Sequence, residues 1–169
     1  MEVRKAQLID VNDIMNIYYL ATERMSAEGN KNQWNDEESF LKGILDYISA
    51  GKMNVVVDDE IVGFYAQIYG IDKTYNEIKG KWLNDEEYVT IHKIASKYPR
   101  RHIASFILKQ VEQEALRNNI RNIRIDTHYQ NISMQEFLKN QGFVYCGVIS
   151  IACDFANQAS LRNAYLKRI

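Results

Sequence analysis

Residues 88–105, with the sequence YVTIHKIASKYPRRHIAS, decide how this chain folds. The first half has the pattern of a β-strand, which we predict over Tyr88–Ser96. Apolar residues then recur at helical spacing and predict a helix that runs to Leu116; they are Ile103, Ile107, Val111 and Ala115. A strand that enters a helix through a tight turn leaves backbone N–H groups free at the helix N-terminus. These groups and the helix dipole favour a phosphate.

The turn between this strand and this helix is basic. Arg100 and Arg101 supply forked guanidinium groups that suit phosphate oxygens, and His102 adds another potential donor. Ala104 is small, so a ligand can approach the backbone closely. The same residues also suit a solvated basic turn before an ordinary surface helix. This segment alone leaves both interpretations open.

The chain on either side alternates between helical and strand patterns. Helices are predicted from Asp10 to Gly29, from Asp36 to Gly51 and over 133–140, and further strands over 3–8, 53–57, 61–69, 120–127, 143–153 and 161–168. Consecutive strands around 53–96 indicate antiparallel pairing, whereas the strand–helix–strand unit over 88–127 requires a parallel pair with a right-handed crossover. We therefore expect one α/β (mixed α+β) domain over residues 1–169. Its sheet should be mixed and mostly antiparallel, with six to seven strands, one central parallel pair and helices on both faces.

The composition is that of an ordinary globular protein. Lysine and arginine number 21 against 22 acidic residues, and this balance argues against broad electrostatic binding to nucleic acid or membrane. No apolar run is long enough to span a bilayer and the first residues lack a signal-peptide pattern, so a cytoplasmic protein is expected. Cys146 and Cys153 should lie on opposite faces of one strand. We expect neither a disulfide between them nor a metal site, since no zinc-binding spacing occurs.

Three parts of the sequence resemble the GNAT superfamily of N-acetyltransferases. They are the strand Ile91–Ser96, the loop and helix start Arg100–Ser105, and the run Asn131–Leu138 followed by Gly142-Phe143. The similarity extends over nearly the whole chain, and three shorter segments resemble a bacterial subgroup of the superfamily: Ile125–His128, Tyr145–Gly147 and Ala164–Lys167. The resemblance implies an enzyme that moves an acetyl group from acetyl-CoA to a primary amine by direct attack on the thioester, with CoA as product. The acceptor would be a small-molecule or peptide amine, and the protein a monomer or homodimer.

The resemblance also implies which residues hold acetyl-CoA. Backbone groups of Ile94 and Ser96 would bond the pantetheine arm, and backbone amides over 101–105 would hold the pyrophosphate. Asn131 would lie beside the cofactor, although its position equally suits a helix N-cap. The usual loop of the family has glycine where this chain has His102, whose Cβ restricts the backbone. The implied cofactor-binding residues are Ile94, Ala95, Ser96, Arg100, Arg101, His102, Ile103, Ala104, Ser105 and Asn131.

Candidates for the general base lie on the two predicted parallel strands. His92 is the first candidate, because it lies two residues before Ile94 on the central strand and an imidazole titrates near neutral pH. It equally suits a packed histidine that bonds a backbone carbonyl. Asp126 and His128 end the next parallel strand, where open α/β sheets place ligand groups. Either would accept a proton through water; alternatively, Asp126 caps a turn and His128 lies in solvent.

The usual general acid of the family is missing, because Leu138 stands where the family usually has a tyrosine. Tyr145 is the first candidate, ahead of Tyr129 and Tyr165, and the thiolate can also leave without a donor. The residues predicted to line an acceptor cleft are Asn30, Trp34, Tyr69, Tyr75 and Trp82. The departures from the family pattern leave an alternative function open, which is a non-catalytic acyl-CoA-binding or sensing domain on the same fold.

Overall fold

The computed structural model describes residues 1–169 and contains eight β-strands and four α-helices. The strands are β1 (Glu2–Lys5), β2 (Met53–Asp58), β3 (Glu60–Tyr69), β4 (Lys79–Gly80), β5 (Val89–Ser96), β6 (Asn122–Thr127), β7 (Val144–Ser150) and β8 (Leu161–Arg168). The helices are α1 (Val11–Ala27), α2 (Glu37–Ser49), α3 (Ile103–Arg117) and α4 (Ile132–Asn140). The expected order of elements is confirmed, with β4 as the one additional strand.

All strands join one sheet in the order β1-β2-β3-β5-β6-β8-β7-β4. The β5–β6 pair is parallel and every other pair is antiparallel. Helix α3 provides the crossover between β5 and β6, which a parallel pair requires. The mixed, mostly antiparallel sheet with one central parallel pair is therefore as expected. The number of strands is one higher, because the two residues of β4 are too few to produce a sequence pattern.

Helices cover both faces of the sheet because each has one apolar side. The Asp36 carboxylate caps α2 by accepting a hydrogen bond from the Ser39 backbone N–H at 3.0 Å. One face of the sheet packs against α1 and α2, mainly through Ile14, Ile17, Phe40, Ile44 and Phe64. The other face packs against α3 and α4, mainly through Val89, Ile107, Val111, Ile123 and Leu138. Each fully buried side chain of this kind contributes about 1.5–3 kcal/mol.

The segment between β3 and β5 covers the remaining half of the α1/α2 face. Tyr75 and Trp82 are buried there over β7 and β8, and the Trp82 indole donates a hydrogen bond to the Tyr75 carbonyl at 3.0 Å. The Arg124 guanidinium lies between the Trp82 and Tyr88 rings, 4.1 and 3.9 Å from their centroids. This packing holds the segment against the sheet and brings Asp72 to the border between the two halves of the face.

Two glycines allow β4 to pair with β7. Gly80 and Gly147 face each other with φ angles of 141° and 138°. A Cβ on Gly80 would lie 2.2 Å from the Cys146 carbonyl oxygen, and one on Gly147 would lie 2.3 Å from the Lys79 carbonyl oxygen. Both distances are far below van der Waals contact, so no other residue type fits at either position without moving the backbone.

We expect Gly80→Ala to lower the free energy of unfolding by about 3 kcal/mol, because strain at positive φ adds to a backbone clash. Gly70→Ala is the matched control. Gly70 also has a positive φ, of 93°, but a Cβ there would meet no atom within 4 Å. Strain alone should cost about 1 kcal/mol in that variant. Urea unfolding measures both, and equal losses would mean that the close approach of β4 to β7 is not needed for stability.

The expectation that Cys146 and Cys153 share one strand was wrong, because β7 ends at Ser150. The Ser150 hydroxyl turns the chain by accepting a hydrogen bond from the Asp154 N–H and donating one to the Asp154 carbonyl, both at 2.9 Å. Cys153 therefore lies in this exposed turn with a φ of 53°, whereas Cys146 is buried; both are free thiols. No helix of the chain has both the length and the apolar composition to cross a membrane.

Candidate active site

A cleft of about 720 Å³ opens where the two parallel strands separate. Strands β5 and β6 pair only through Val89–Ile123, Thr90–Arg124 and Ile91–Ile125. Beyond these pairs, residues 92–96 continue along β3 but no longer pair with β6. Their backbone groups on the β6 side therefore line a gap between the strands. An extended ligand with its own amide groups can bond these strand edges as a neighbouring strand would.

A β-bulge lies in β5 where the gap begins. The register with β3 shifts between Phe64 and Ala66, and Lys93 has a φ of 49°. As a result, His92 and Lys93 both face the side of the sheet that α1, α2 and the β3–β5 segment cover, whereas Ile94 packs on the opposite side. Two consecutive side chains thus point into the same cleft, which a regular strand does not allow.

The N-terminus of α3 closes one end of the cleft with free backbone donors. The N–H groups of Ile103, Ala104 and Ser105 donate to no acceptor in the protein. His102 precedes them in the left-handed conformation, with a φ of 56° and no side-chain cap. Histidine therefore takes the backbone conformation that glycine takes more easily, at a cost of about 1–2 kcal/mol. The turn presents three N–H groups and the helix dipole to an anion.

Arginines surround this end of the cleft. Arg100 and Arg101 are exposed and form no ion pair with a carboxylate, and Arg101 lies over the Tyr98 ring, 4.8 Å from its centroid. Arg24 of α1 reaches across the cleft and donates hydrogen bonds to the Ser96 and Lys97 carbonyls at 2.5 and 3.1 Å. Sequence reasoning missed Arg24, because nothing in the helical pattern of α1 marks it as a cleft residue.

Asn131 caps α4, as one of its sequence interpretations predicted, and it also lines the cleft. Its side-chain oxygen accepts a hydrogen bond from the Met134 N–H at 3.1 Å. Its amide nitrogen donates to Gln33 at 2.9 Å, which ties the start of α4 to the α1–α2 connector. The cleft therefore has free N–H donors and arginines at its α3 end and a strand edge along β5. Asn131 lines the wall of the same cleft. These features fit acetyl-CoA, whose pyrophosphate and amide-bearing arm need such donors.

His92 lies between two carboxylates inside the same cleft. Its Nε2 atom is 2.8 Å from Oδ2 of Asp72, and its Nδ1 atom is 3.7 Å from Oδ1 of Asp126. Asp126 also accepts a hydrogen bond from the Tyr75 hydroxyl at 2.6 Å. His92 is therefore not a packed histidine bonded to a backbone carbonyl. The structure brings together His92 and Asp126, two of the three catalytic candidates.

Asp72 is a member of this group that sequence reasoning missed. Burial alone would raise the pKa of its carboxyl, but hydrogen bonds from His92 and from the backbone and side chain of Thr74 outweigh burial and lower the pKa to about 2. The carboxylate is therefore charged at neutral pH. The sequence signals only a turn at Asp72-Lys73-Thr74, and its contact with His92 depends on how the β3–β5 segment packs.

Tyr47 of α2 also faces these carboxylates. Burial, with the nearby charges of Asp72 and Asp126, raises the pKa of Tyr47 to about 12. It stays a neutral hydroxyl. The cleft wall thus combines charged carboxylates, an imidazole and a protonated phenol.

The tyrosines considered for the general acid lie outside the cleft. Tyr145 is half exposed and packs edge-on against Tyr165, with ring centroids 5.6 Å apart, and Tyr129 is exposed beside His128. Leu138 is buried in the core beneath α4. The cleft therefore contains no tyrosine from the α4 or β7 region, and Tyr145 is not near His92.

Of the residues predicted to line an acceptor cleft, some lie at the cleft and others do not. Trp34 lines the cleft, and Tyr75 lies behind it on Asp126. Asn30 is buried and donates a hydrogen bond to Gln33. The other two lie elsewhere: Tyr69 bonds Glu114 of α3, and Trp82 packs under Arg124.

A mixed sheet whose single parallel pair separates beside a free helix N-terminus is the architecture of acyl-CoA-dependent acetyltransferases. The sequence matches the model of the Acetyltransferase (GNAT) family over residues 11–143, and the chain belongs to this family of enzymes. A GNAT-family acetyltransferase from Streptococcus agalactiae superposes with a TM-score of 0.78 and 28% identity, covering 99% of this chain and 95% of its own.

Two more distant structures share the fold. The PaiA N-acetyltransferase from Thermoplasma acidophilum, in complex with coenzyme A, has a TM-score of 0.66 and 16% identity over 99% of this chain and 98% of its own. The ribosomal-protein-alanine N-acetyltransferase from Brucella melitensis has a TM-score of 0.63 and 15% identity over 100% of both chains. A search of curated proteins found no match.

Proposed function

We propose that the protein transfers the acetyl group of acetyl-CoA to a primary amine, which attacks the thioester directly. One observation carries the proposal: His92, held by Asp72, lies in the same cleft as the gap between β5 and β6. A base and a place for the thioester are therefore adjacent. Acetyl-CoA supplies the activated acetyl group.

The cofactor would lie along β5 with its pyrophosphate at α3. Backbone groups of Ile94 and Ser96 lie on the strand that borders the gap. The free N–H groups over 103–105 are available to phosphate oxygens, and Arg100 and Arg101 add positive charge without carboxylates that compete for them. The Arg24 bonds to Ser96 and Lys97 hold the C-terminal end of β5 in place.

His92 would take the proton from the amine. A lysine-like amine has a pKa of about 10.4 in water and must lose a proton before it attacks. Because Asp72 only accepts hydrogen bonds, the neutral ring carries its proton on Nε2 and leaves a lone pair on Nδ1. Asp126 stands 3.7 Å from this nitrogen, on the side of the ring where the amine would approach. Asp72 is then the positioning residue of the base.

The thiolate would leave without a dedicated proton donor. Leu138 occupies the usual position of the acid, and Tyr145 lies outside the cleft. A thiol with an ordinary pKa of about 8.5 is a tolerable leaving group near neutral pH. Departure of the thiolate without a proton donor is one of the alternatives that the sequence leaves open.

The test is a pair of measurements on the full chain. Calorimetric titration with acetyl-CoA, CoA, ATP and NAD should show binding of the two CoA species alone. Release of free thiol from acetyl-CoA is then followed with a broad panel of primary amines, and we expect at least one to be acetylated. Binding of ATP but of neither CoA species would refute the proposal. Binding of CoA with no thiol released by any amine would favour the acyl-CoA sensor.

A further inference from the structure

Two cationic side chains stand beside the candidate base where the cleft meets a second cavity. This second cavity, also of about 720 Å³, lies on the side of α2 and the start of β8. The residues common to both cavities are Trp34, Lys93, Ile151 and Arg162. Lys93 and Arg162 thus border the open space next to His92, away from the arginines at α3.

Arg162 has unused donors in this space. Only 9% of its surface is exposed, and its Nη1 atom donates to the Ala159 and Leu161 carbonyls, both at 2.8 Å. Its Nη2 and Nε atoms bond no group of the protein, and no carboxylate lies within ion-pair distance. Burial lowers the pKa of this guanidinium, whereas the charge of Asp126 raises it. The guanidinium remains a cation with half of its fork free.

Lys93 is equally without a counter-ion. Its Nζ atom lies 4.1 Å from the centroid of the Phe40 ring and pairs with no carboxylate. Its stem packs on Gly43, where a Cβ would lie 3.0 Å from the lysine Cε. A glycine within a helix costs about 0.5–1 kcal/mol, so α2 carries a local cost at the point where it makes room for this lysine. Burial lowers the pKa of Lys93 to about 8.

The carboxylates nearest to Lys93 and Arg162 form hydrogen bonds with other groups of the protein. Asp72 is bonded to His92 and Thr74, Asp126 to Tyr75, and Asp36 to Ser39 at the start of α2. Partly buried cations without partners cost free energy, and an anion bound between them compensates for that cost. The pyrophosphate has its own donors at the opposite end of the cleft. An anionic group of the acceptor would compensate for the two unpaired charges.

We propose that the acceptor amine carries a carboxylate group, which Lys93 and Arg162 bind while the amino group faces His92. This inference rests on the proposed acetyl transfer and names the class of its acceptor. The guanidinium fork of Arg162 suits a carboxylate, and Lys93 adds a point charge. Since His92 and Lys93 are adjacent in β5, the amine and the carboxylate would bind close together, as in an amino acid.

The experiment compares amino acids with their neutral counterparts. Glycine, β-alanine, γ-aminobutyrate, ε-aminohexanoate and the standard α-amino acids are each assayed beside the matching primary amide by thiol release from acetyl-CoA. The variants are Arg162→Gln and Lys93→Met, and Arg121→Gln, at an exposed site, is the control. Lys93→Met keeps an unbranched stem over Gly43, so it remains informative if Arg162→Gln fails to fold.

For at least one pair, kcat/KM of the acid should exceed that of the amide by about 10-fold to 100-fold. This ratio should fall towards one in Arg162→Gln and Lys93→Met and persist in Arg121→Gln. Equal use of acids and amides, or a preference that survives both substitutions, would overturn the inference and leave acetyl transfer intact.

A binding measurement separates the two proposals if no amine releases thiol. The same acids are then titrated calorimetrically into the protein saturated with CoA. Binding that weakens at least 10-fold in Arg162→Gln would uphold the carboxylate site and reject only the transfer reaction. No binding of any acid would reject the carboxylate site as well.

Discussion

Replacing His92 with glutamine should lower kcat about 100-fold to 10,000-fold with the best amine acceptor, which is the range that general base catalysis contributes. Glutamine can still donate a hydrogen bond to Asp72 but cannot take a proton. The variant should bind acetyl-CoA as tightly as the wild type, because the proposed cofactor donors are backbone groups of β5 and of the α3 N-terminus. Steady-state kinetics and calorimetry together measure both quantities.

Asp72→Asn provides a second measurement. This variant should give an intermediate loss of kcat, because the charge that fixes the proton on Nε2 of His92 is removed. An unchanged kcat in His92→Gln would assign the proton transfer to another group, with Asp126 next to be tested.

The double substitution Arg100→Glu with Arg101→Glu should weaken CoA binding about 100-fold. Two guanidiniums beside the α3 N-terminus would become two carboxylates facing a pyrophosphate, so attraction turns into repulsion. Calorimetric titration at two salt concentrations measures the loss, which should shrink as salt screens the charges. Neither arginine is buried or in an ion pair, so the fold should be unaffected.

The matched control for this variant is Lys109→Glu with Arg121→Glu. Both residues are exposed and unpaired, and the double substitution changes the net charge by the same amount as the reversal at the loop. CoA affinity should change little in the control. A similar loss in both double variants would mean that overall charge, and not the loop, sets the affinity.

Features encoded by local pattern were predictable from the sequence. The stripe of Ile103, Ile107, Val111 and Ala115 predicted the buried side of α3, and all four are buried. The place of Asn131 before α4 predicted a helix cap, which the structure contains, and the helix predicted from Asp36 is capped by the carboxylate of that residue. The parallel pair also followed, because a helix that crosses over the sheet between two strands returns the chain to the end where the first strand began.

Features that depend on long-range packing were not predictable. The link between Asp72 and His92 joins residues on separate segments, and only the packing of Tyr75 and Trp82 brings them together. The bulge at Lys93 depends on its register with β3, so the sequence could not show that His92 and Lys93 share a face. Tyr145 was the first candidate for the general acid, but it packs against Tyr165 outside the cleft.

The two-residue strand β4 joins the segment that carries Asp72 to the edge of the sheet, where it pairs with β7. The segment that carries Asp72 pairs with the sheet through the two residues of β4 and otherwise packs on β7 and β8 through Tyr75 and Trp82, whereas the proposed cofactor side is built from β5, β6 and α3, which are long elements of the core. Partial unfolding should therefore begin in this segment, and its amides should exchange hydrogen sooner than those of β5. A molecule opened in this way would retain the proposed platform for CoA but lose the group proposed to orient the base. The two halves of the candidate active site should thus differ in local stability.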